Sequence, residues 1–226
     1  MFSGDADFSS STFSGDADFS DGAFGAETHF EGARFETRVP RFYQRTMHQN
    51  TTFATRQKDV ALWPAISKDN ATASKDAYTR LRVIMNDLQK PDDEHFFFRQ
   101  EMRCKQLDEG PPDSWVIWAY GVASGYGFSV VRPLLGLLLT IFWGWVFIGS
   151  YLKNALGVPG SKGIFAGLGV SFDNTFAFLG FAEKMHPGFY DDTPFWLNAL
   201  AGTQTVLGVI LLFFLGLGLR NRFRLK

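Results

Sequence analysis

A phenylalanine recurs every 11 residues through the first part of the chain, and this period restricts the fold more than any other feature. The chain opens Phe2-Ser-Gly-Asp-Ala-Asp-Phe8 and repeats the same heptapeptide as Phe13-Ser-Gly-Asp-Ala-Asp-Phe19. Phe2, Phe13, Phe24 and Phe35 form one series with spacing 11, and Phe8, Phe19 and Phe30 form another. Two residues before each Phe from Phe8 to Phe35 stands a small side chain: Ala6, Ser11, Ala17, Gly22, Thr28 or Ala33. Residues two apart on an extended chain point to the same side. The large and small members of each pair therefore face one interior, while Ser, Asp and Glu face water. A single repeat cannot bury its own apolar face, so neighbours must stack. Phe8, Phe13, Phe19, Phe24, Phe30 and Phe35 are the expected core. The rhythm breaks at Val39-Pro40 and resumes with Phe42, Met47 and Phe53.

This pattern resembles the pentapeptide-repeat family, whose motif centres on Leu or Phe with a small residue two positions earlier. The resemblance covers roughly residues 2–53. It implies a short right-handed quadrilateral β-helix, a β-solenoid, over residues 1–57.

Residues 58–113 read as a helical hairpin and linker. Tyr78, Leu81, Ile84, Met85 and Leu88 make one apolar stripe at helical spacing. Asp69 or Asn70 is the expected cap. Pro91 suits the first position of a second helix, followed by Asp92, Asp93 and Glu94 at its positive end. Phe97, Phe98 and Met102, with Cys104, supply that helix with its expected apolar side. His95 reads as a helix-surface partner of Glu94. Asp108-Glu-Gly-Pro-Pro-Asp113 is a linker.

The second half differs sharply. No Asp, Glu, Lys or Arg lies between Pro133 and Leu152, or between Thr193 and Leu219. Each run is long enough to cross ~30 Å of hydrocarbon at ~1.5 Å per residue. A mean hydropathy of −0.05 for the whole chain conceals this division. Residues 114–129 form an interfacial segment, with Ser114 as its cap and Trp115, Trp118 and Tyr120 as membrane-interface anchors. Gly125-Tyr126-Gly127 precedes the first span and reads as a flexible corner, not as a potassium filter. Residues 130–226 form a two-span membrane domain. Trp143 and Trp145 lie deep in the first span, which implies contacts with protein as well as lipid.

Arg132 flanks the first span, and Arg220, Arg222, Arg224 and Lys226 follow the second. The positive-inside rule then puts both termini in the cytoplasm. No signal peptide is expected ahead of the repeats. A third full span would reverse the C-terminal end, so the apolar stretch of about 163–181 is expected to be a re-entrant half-helix. Span, half-helix, span is the plan of a two-span potassium-channel pore. The closing Leu-Arg-Asn-Arg-Phe-Arg resembles the end of bacterial membrane proteins that join pentapeptide repeats to such a domain. That resemblance implies the bacterial inner membrane and a channel-like C-terminal part. No Thr-Val-Gly-Tyr-Gly follows the half-helix, so potassium selectivity is not implied.

Asp173, Asn174 and Glu183 are the candidates to face ions. A carboxylate at such a position is more often a half-helix or turn cap than an ion ligand, and that is the alternative role for Asp173. Asn198, Thr203, Gln204 and Thr205 are the polar groups of the second span, available for pore lining or for bonds between helices. Net charge of −1 disfavours a nucleic-acid binder, and one cysteine excludes an intrachain disulfide. There is no Gly-x-Ser-x-Gly, no phosphate-binding glycine loop and no His/Cys metal spacing, so neither an enzyme nor a cofactor is expected. Two functions remain: an oligomeric ion-channel-like pore, and a membrane scaffold or accessory subunit of a larger complex. The resemblance favours the pore. The lipid bilayer and further copies of the chain, or a larger complex, are the expected partners.

Overall fold

The computed structural model describes residues 3–43, 45–155, 157–158, 160–177 and 193–223. They fall into two compact units, Met1–Ala119 and Tyr120–Lys226.

Short strands occupy the repeats of the first unit: β1 (Ala6–Asp7), β2 (Thr12–Phe13), β3 (Gly22–Ala23), β4 (Thr28–Phe30), β5 (Arg34–Phe35), β6 (Arg45–Thr46) and β7 (Thr52–Phe53). All pairing is parallel, in the orders β1-β4-β7, β2-β5 and β3-β6. Ala6 pairs with Thr28 and Thr12 with Arg34, an offset of 22 residues, or two sequence periods. After Val39-Pro40 the offset is 23, as in Gly22 with Arg45 and His29 with Thr52. The extra residue is absorbed between columns, and Val39 is itself buried.

This register stacks like on like. Phe8, Phe30 and Phe53 form one near-parallel column with centroids 5.1 and 5.0 Å apart. Phe13 lies over Phe35 at 5.0 Å, and Phe19 over Phe42 at 5.1 Å. Between columns the rings meet edge to face, as in Phe30 with Phe42 and Phe42 with Phe53. Offset stacking and edge contacts are the two favourable arrangements of aromatic quadrupoles. Phe24, Phe30 and Phe35 are fully buried, whereas Phe8, Phe13 and Phe19 are only half-buried and pack at the edge of this core. Asp7 and Asp18 turn the corners by accepting the backbone N–H of Ser9 and Ser20.

A 3-10 helix, Gln57–Leu62, leads to Trp63, which closes the stack. Its ring lies 5.3 Å from Phe35 and 5.2 Å from Phe97, and its Nε1 donates to the Ala54 carbonyl at 2.8 Å. Helices α1 (Ala71–Asp87) and α2 (Pro91–Asp108) form the hairpin above it. The buried face of α1 includes Tyr78, Leu81, Ile84 and Met85, as the spacing requires. The face of α2 is Phe96, Phe97, Gln100 and Cys104, so the expected Phe98 and Met102 are displaced to its flank. Pro91 does begin α2. Asn70 occupies the N-cap of α1, but its side chain accepts the Ser67 N–H instead of capping the helix. Arg82 to Glu101 and Lys75 to Asp108, each at 2.6 Å, join the two helices. Lys90 donates to the Thr51 carbonyl and Arg80 to that of Phe42, tying the hairpin to the repeats.

Helix α3 spans Asp113–Ser124 and includes Ser114 within its first turn instead of at its cap. The second unit contains α4 (Val131–Asn154), α5 (Gly160–Thr175) and α6 (Phe195–Arg222). Helices α4 and α6 are long and apolar enough to cross a membrane. Only 22% and 11% of their most apolar windows are buried, which separates them from the core helix of a soluble domain. Helix α5 runs antiparallel to α4. Gly167 meets Gly149, Ser171 meets Ile141, and Trp145 Nε1 donates to the Ile164 carbonyl at 2.9 Å. The rest of the expected re-entrant stretch, from residue 178, lies outside the described residues.

Candidate functional site

The small residues of α5 recur every four positions: Gly163, Gly167, Ser171 and Thr175. That spacing lays one slender stripe along a helix and lets backbones approach closely. A Cβ added to Gly167 would lie 2.9 Å from the Gly149 backbone, and one on Gly208 only 2.0 Å from the Thr175 carbonyl oxygen. Helix α5 therefore slides between α4 and α6 and ends beside Gln204–Gly208. That point is roughly 14–20 Å along α6 at ~1.5 Å per residue, near the middle of that helix.

A buried polar cluster fixes this end. Gln204, 2% exposed, donates through Nε2 to the Thr140 carbonyl at 3.0 Å and to Ser171 Oγ at 2.9 Å. Its Oε1 accepts from Asn174 Nδ2 at 3.1 Å. Ser171 Oγ donates onward to the Ile141 carbonyl at 2.8 Å, and Thr205 Oγ1 to that of Asn174 at 2.9 Å. Thr140 of α4 and both Ser171 and Asn174 of α5 thus converge on Gln204 of α6. Gly144 leaves the space, since a Cβ there would stand 1.9 Å from Gln204 Nε2.

Among the expected site residues, Asp173 and Asn174 are buried at the end of α5, 3% and 4% exposed. Gln204 and Thr205 join Asn174 in the cluster. Thr203 is exposed and donates to the Ala199 carbonyl of its own helix. Asn198 is exposed near the start of α6 and accepts from Thr193 at 3.1 Å. Glu183 and Arg224 lie outside the described residues. Trp115 and Trp118 are exposed, and Tyr120 is half-buried against Phe214 and Tyr126. Arg220 and Arg222 are exposed at the end of α6. Sequence reasoning passed over Ser171, Thr140, Gly144 and Gly208. The four-residue spacing of small side chains in α5 was the available signal.

Gly125-Tyr126-Gly127 is not a loose corner. All three residues have positive φ, at 57°, 59° and 84°. Such a conformation is uncommon for a tyrosine. Ser124 Oγ accepts the Gly127 N–H at 3.0 Å, and Asn221 Nδ2 donates to the Gly127 carbonyl at 2.9 Å.

The first unit holds a cavity of about 760 Å³ between the repeats and the hairpin, lined in part by Arg34, Phe35, Trp63, Tyr78, Gln100 and Arg103. Cys104 is buried nearby in α2, and burial pushes its thiol up to about 12, too high for a thiolate nucleophile at neutral pH. Among the described residues no group of three or more His, Cys, Asp or Glu could hold a metal ion.

A family model described as pentapeptide repeats, in nine copies, matches residues 1–39. The N-terminal segment consists of pentapeptide repeats, and the chain couples them to a mostly helical part with two membrane-capable helices. No curated protein and no solved structure matches the chain.

Proposed function

We propose that this chain is a non-enzymatic integral membrane protein of the bacterial inner membrane, with cytoplasmic termini, whose C-terminal unit is one subunit of an oligomeric ion-channel-like pore. Its repeats form the coils of a short right-handed β-solenoid on the cytoplasmic side. The observation that carries the pore is the end of α5, buried halfway along α4 and α6. A half-helix that stops at mid-depth aims its last-turn carbonyls, the negative end of its dipole, at the centre of the bilayer. Asp173 and Asn174 stand at that end and add polar oxygen. Backbone that stops inside a membrane is tolerated where protein covers it, and the cluster on Gln204 supplies such cover. Two spans cannot enclose a pore alone, so several copies must surround one axis. Their exposed apolar faces, which include Leu134, Leu138, Phe142 and Phe213, are left for lipid and for one another.

A second reading is an accessory subunit held in a larger complex. It is favoured by the closure of the hydrogen bonds of Gln204, Ser171 and Thr205 within a single copy. Mass measurement in detergent, followed by reconstitution, separates the two. The pore requires a closed homo-oligomer that passes current, and Asp173→Asn should reduce cation conductance or selectivity with the oligomer intact. A single copy, or inserted protein that carries no current at either sign of voltage, favours the accessory subunit and removes the pore.

A further inference from the structure

Three arginines lie at one end of the second unit with no acidic partner among the described residues. Arg132 lies in the first turn of α4, and Arg220 and Arg222 in the last turn of α6. The two helix ends are pinned side by side. Asn221 donates to the Gly127 carbonyl, and a Cβ on Gly218 would lie 2.9 Å from the Ser129 carbonyl oxygen. Arg132 donates one guanidinium N–H to the Gly121 carbonyl, which fixes its direction. All three side chains are exposed, and among the described residues none is in an ion pair.

Among the described residues, this end of the unit has no Asp or Glu of its own. No Asp or Glu occurs between Asp113 and Asp173, or after Asp192. Asp173 is buried beside the middle of the spans, and Lys153 and Lys162 lie at their other end. The last turn of α6 accounts electrostatically for Arg220 and Arg222, because cations suit a helix C-terminus. Arg132 stands at the opposite pole, where its own helix repels it. Beyond the bond to Gly121, the Arg132 guanidinium has no partner among the described residues, and arginine matches the oxygens of a phosphate with paired hydrogen bonds.

The neighbouring surface says what carries the anion. Leu134, Leu135 and Leu138 on α4 and Phe213 and Leu219 on α6 are exposed next to the arginines. Phosphate beside a long apolar wall is the shape of a phospholipid. We infer that this end of the bundle binds an anionic phospholipid, its phosphate bridging Arg132 to Arg220 or Arg222 and its acyl chains lying along α4 and α6. The inference rests on α4 and α6 spanning a bilayer, and is independent of whether a pore conducts.

The test uses the purified full chain in a neutral detergent, titrated with phosphatidylglycerol, phosphatidylcholine or inorganic phosphate, with thermal unfolding of the helical signal as readout. Phosphatidylglycerol should stabilise in a saturable manner, while the other two should not. Arg220→Gln/Arg222→Gln should raise the half-saturating lipid concentration by about tenfold or more, since one arginine near an anionic surface contributes roughly fivefold. These two side chains make no bond within the described residues, so the variant should fold. Arg220→Lys/Arg222→Lys should recover part of the effect, and Lys153→Gln/Lys162→Gln should leave it unchanged. Equal stabilisation by phosphatidylcholine, full stabilisation by inorganic phosphate alone, or an unaltered Arg220→Gln/Arg222→Gln response would each overturn the lipid site.

Discussion

Replacing Gln204 by methionine tests whether the end of α5 is held by hydrogen bonds or merely by shape. Methionine is similar in length and lacks the amide. The substitution removes the bonds to the Thr140 carbonyl, to Ser171 Oγ and from Asn174 Nδ2. Bonds between membrane helices average about 0.6 kcal/mol and reach about 1.7, so three amount to about 2 kcal/mol. The Asn174 amide then loses a buried acceptor, and the loss of such a bond by a buried donor adds about 1–3 kcal/mol. The expected loss is therefore about 3–5 kcal/mol. It can be read from equilibrium unfolding in mixed micelles with increasing dodecyl sulfate. Thr203→Val, in the exposed neighbour, should cost under about 0.5 kcal/mol. Ser171→Ala combined with Gln204→Met should cost less than the two single losses added, because both remove one shared bond. If Gln204→Met costs no more than Thr203→Val, packing alone holds α5 and the hydrogen-bond argument is wrong.

Gly208→Ala should destabilise the second unit by about 1–3 kcal/mol or more, because its Cβ meets the Thr175 backbone carbonyl. Gly216→Ala, with nothing within 4 Å, should be neutral or stabilising by up to about 1 kcal/mol in the same micelle assay. Phe30→Ala should cost about 3–5 kcal/mol by chemical denaturation of the N-terminal signal, and half-buried Phe8→Ala about 1–2 kcal/mol. Hydrogen bonds from Lys75 and Thr72 hold the Asp108 carboxyl below the usual carboxylate range. Its contribution to stability is therefore full above the unfolded value of about 3.9 and lost as pH falls through the lower folded value. Asp108→Asn should flatten this acid limb in a pH series of thermal melts, and an unchanged limb would show that the carboxylate is not coupled to folding.

The repeats were legible because one side chain at one spacing defines both what is buried and what it stacks on. The α1 stripe was legible for the same reason. Phe96-Phe97-Phe98 was not, since three adjacent rings carry no period, and the hairpin contact with Trp63 decides which two turn inward. In the second unit the polar residues of α6 and their partner Asn174 were legible, but the partners Ser171 and Thr140 were not. Ser171 and Thr140 are unremarkable until α5 folds back against α4. Arg132 reads from sequence only as a sign of orientation, because its lack of a counter-charge among the described residues emerges once the ends of α4 and α6 lie together.

The register of the repeats has a further consequence for how such a chain tolerates changes in length. The first 22-residue period carries four aromatic positions, Phe8, Phe13, Phe19 and Phe24, and Trp63 packs on Phe35 at the end of the Phe13–Phe35 column. Inserting a whole turn would add one layer and leave Trp63 over the same column. Inserting a single pentapeptide would still satisfy the aromatic pattern, yet bring Trp63 over the adjacent column and rotate the hairpin about the stack. Repeat number in this segment is therefore an angular coordinate as well as a length, and indels too small to disturb the core can redirect the hairpin packed on it.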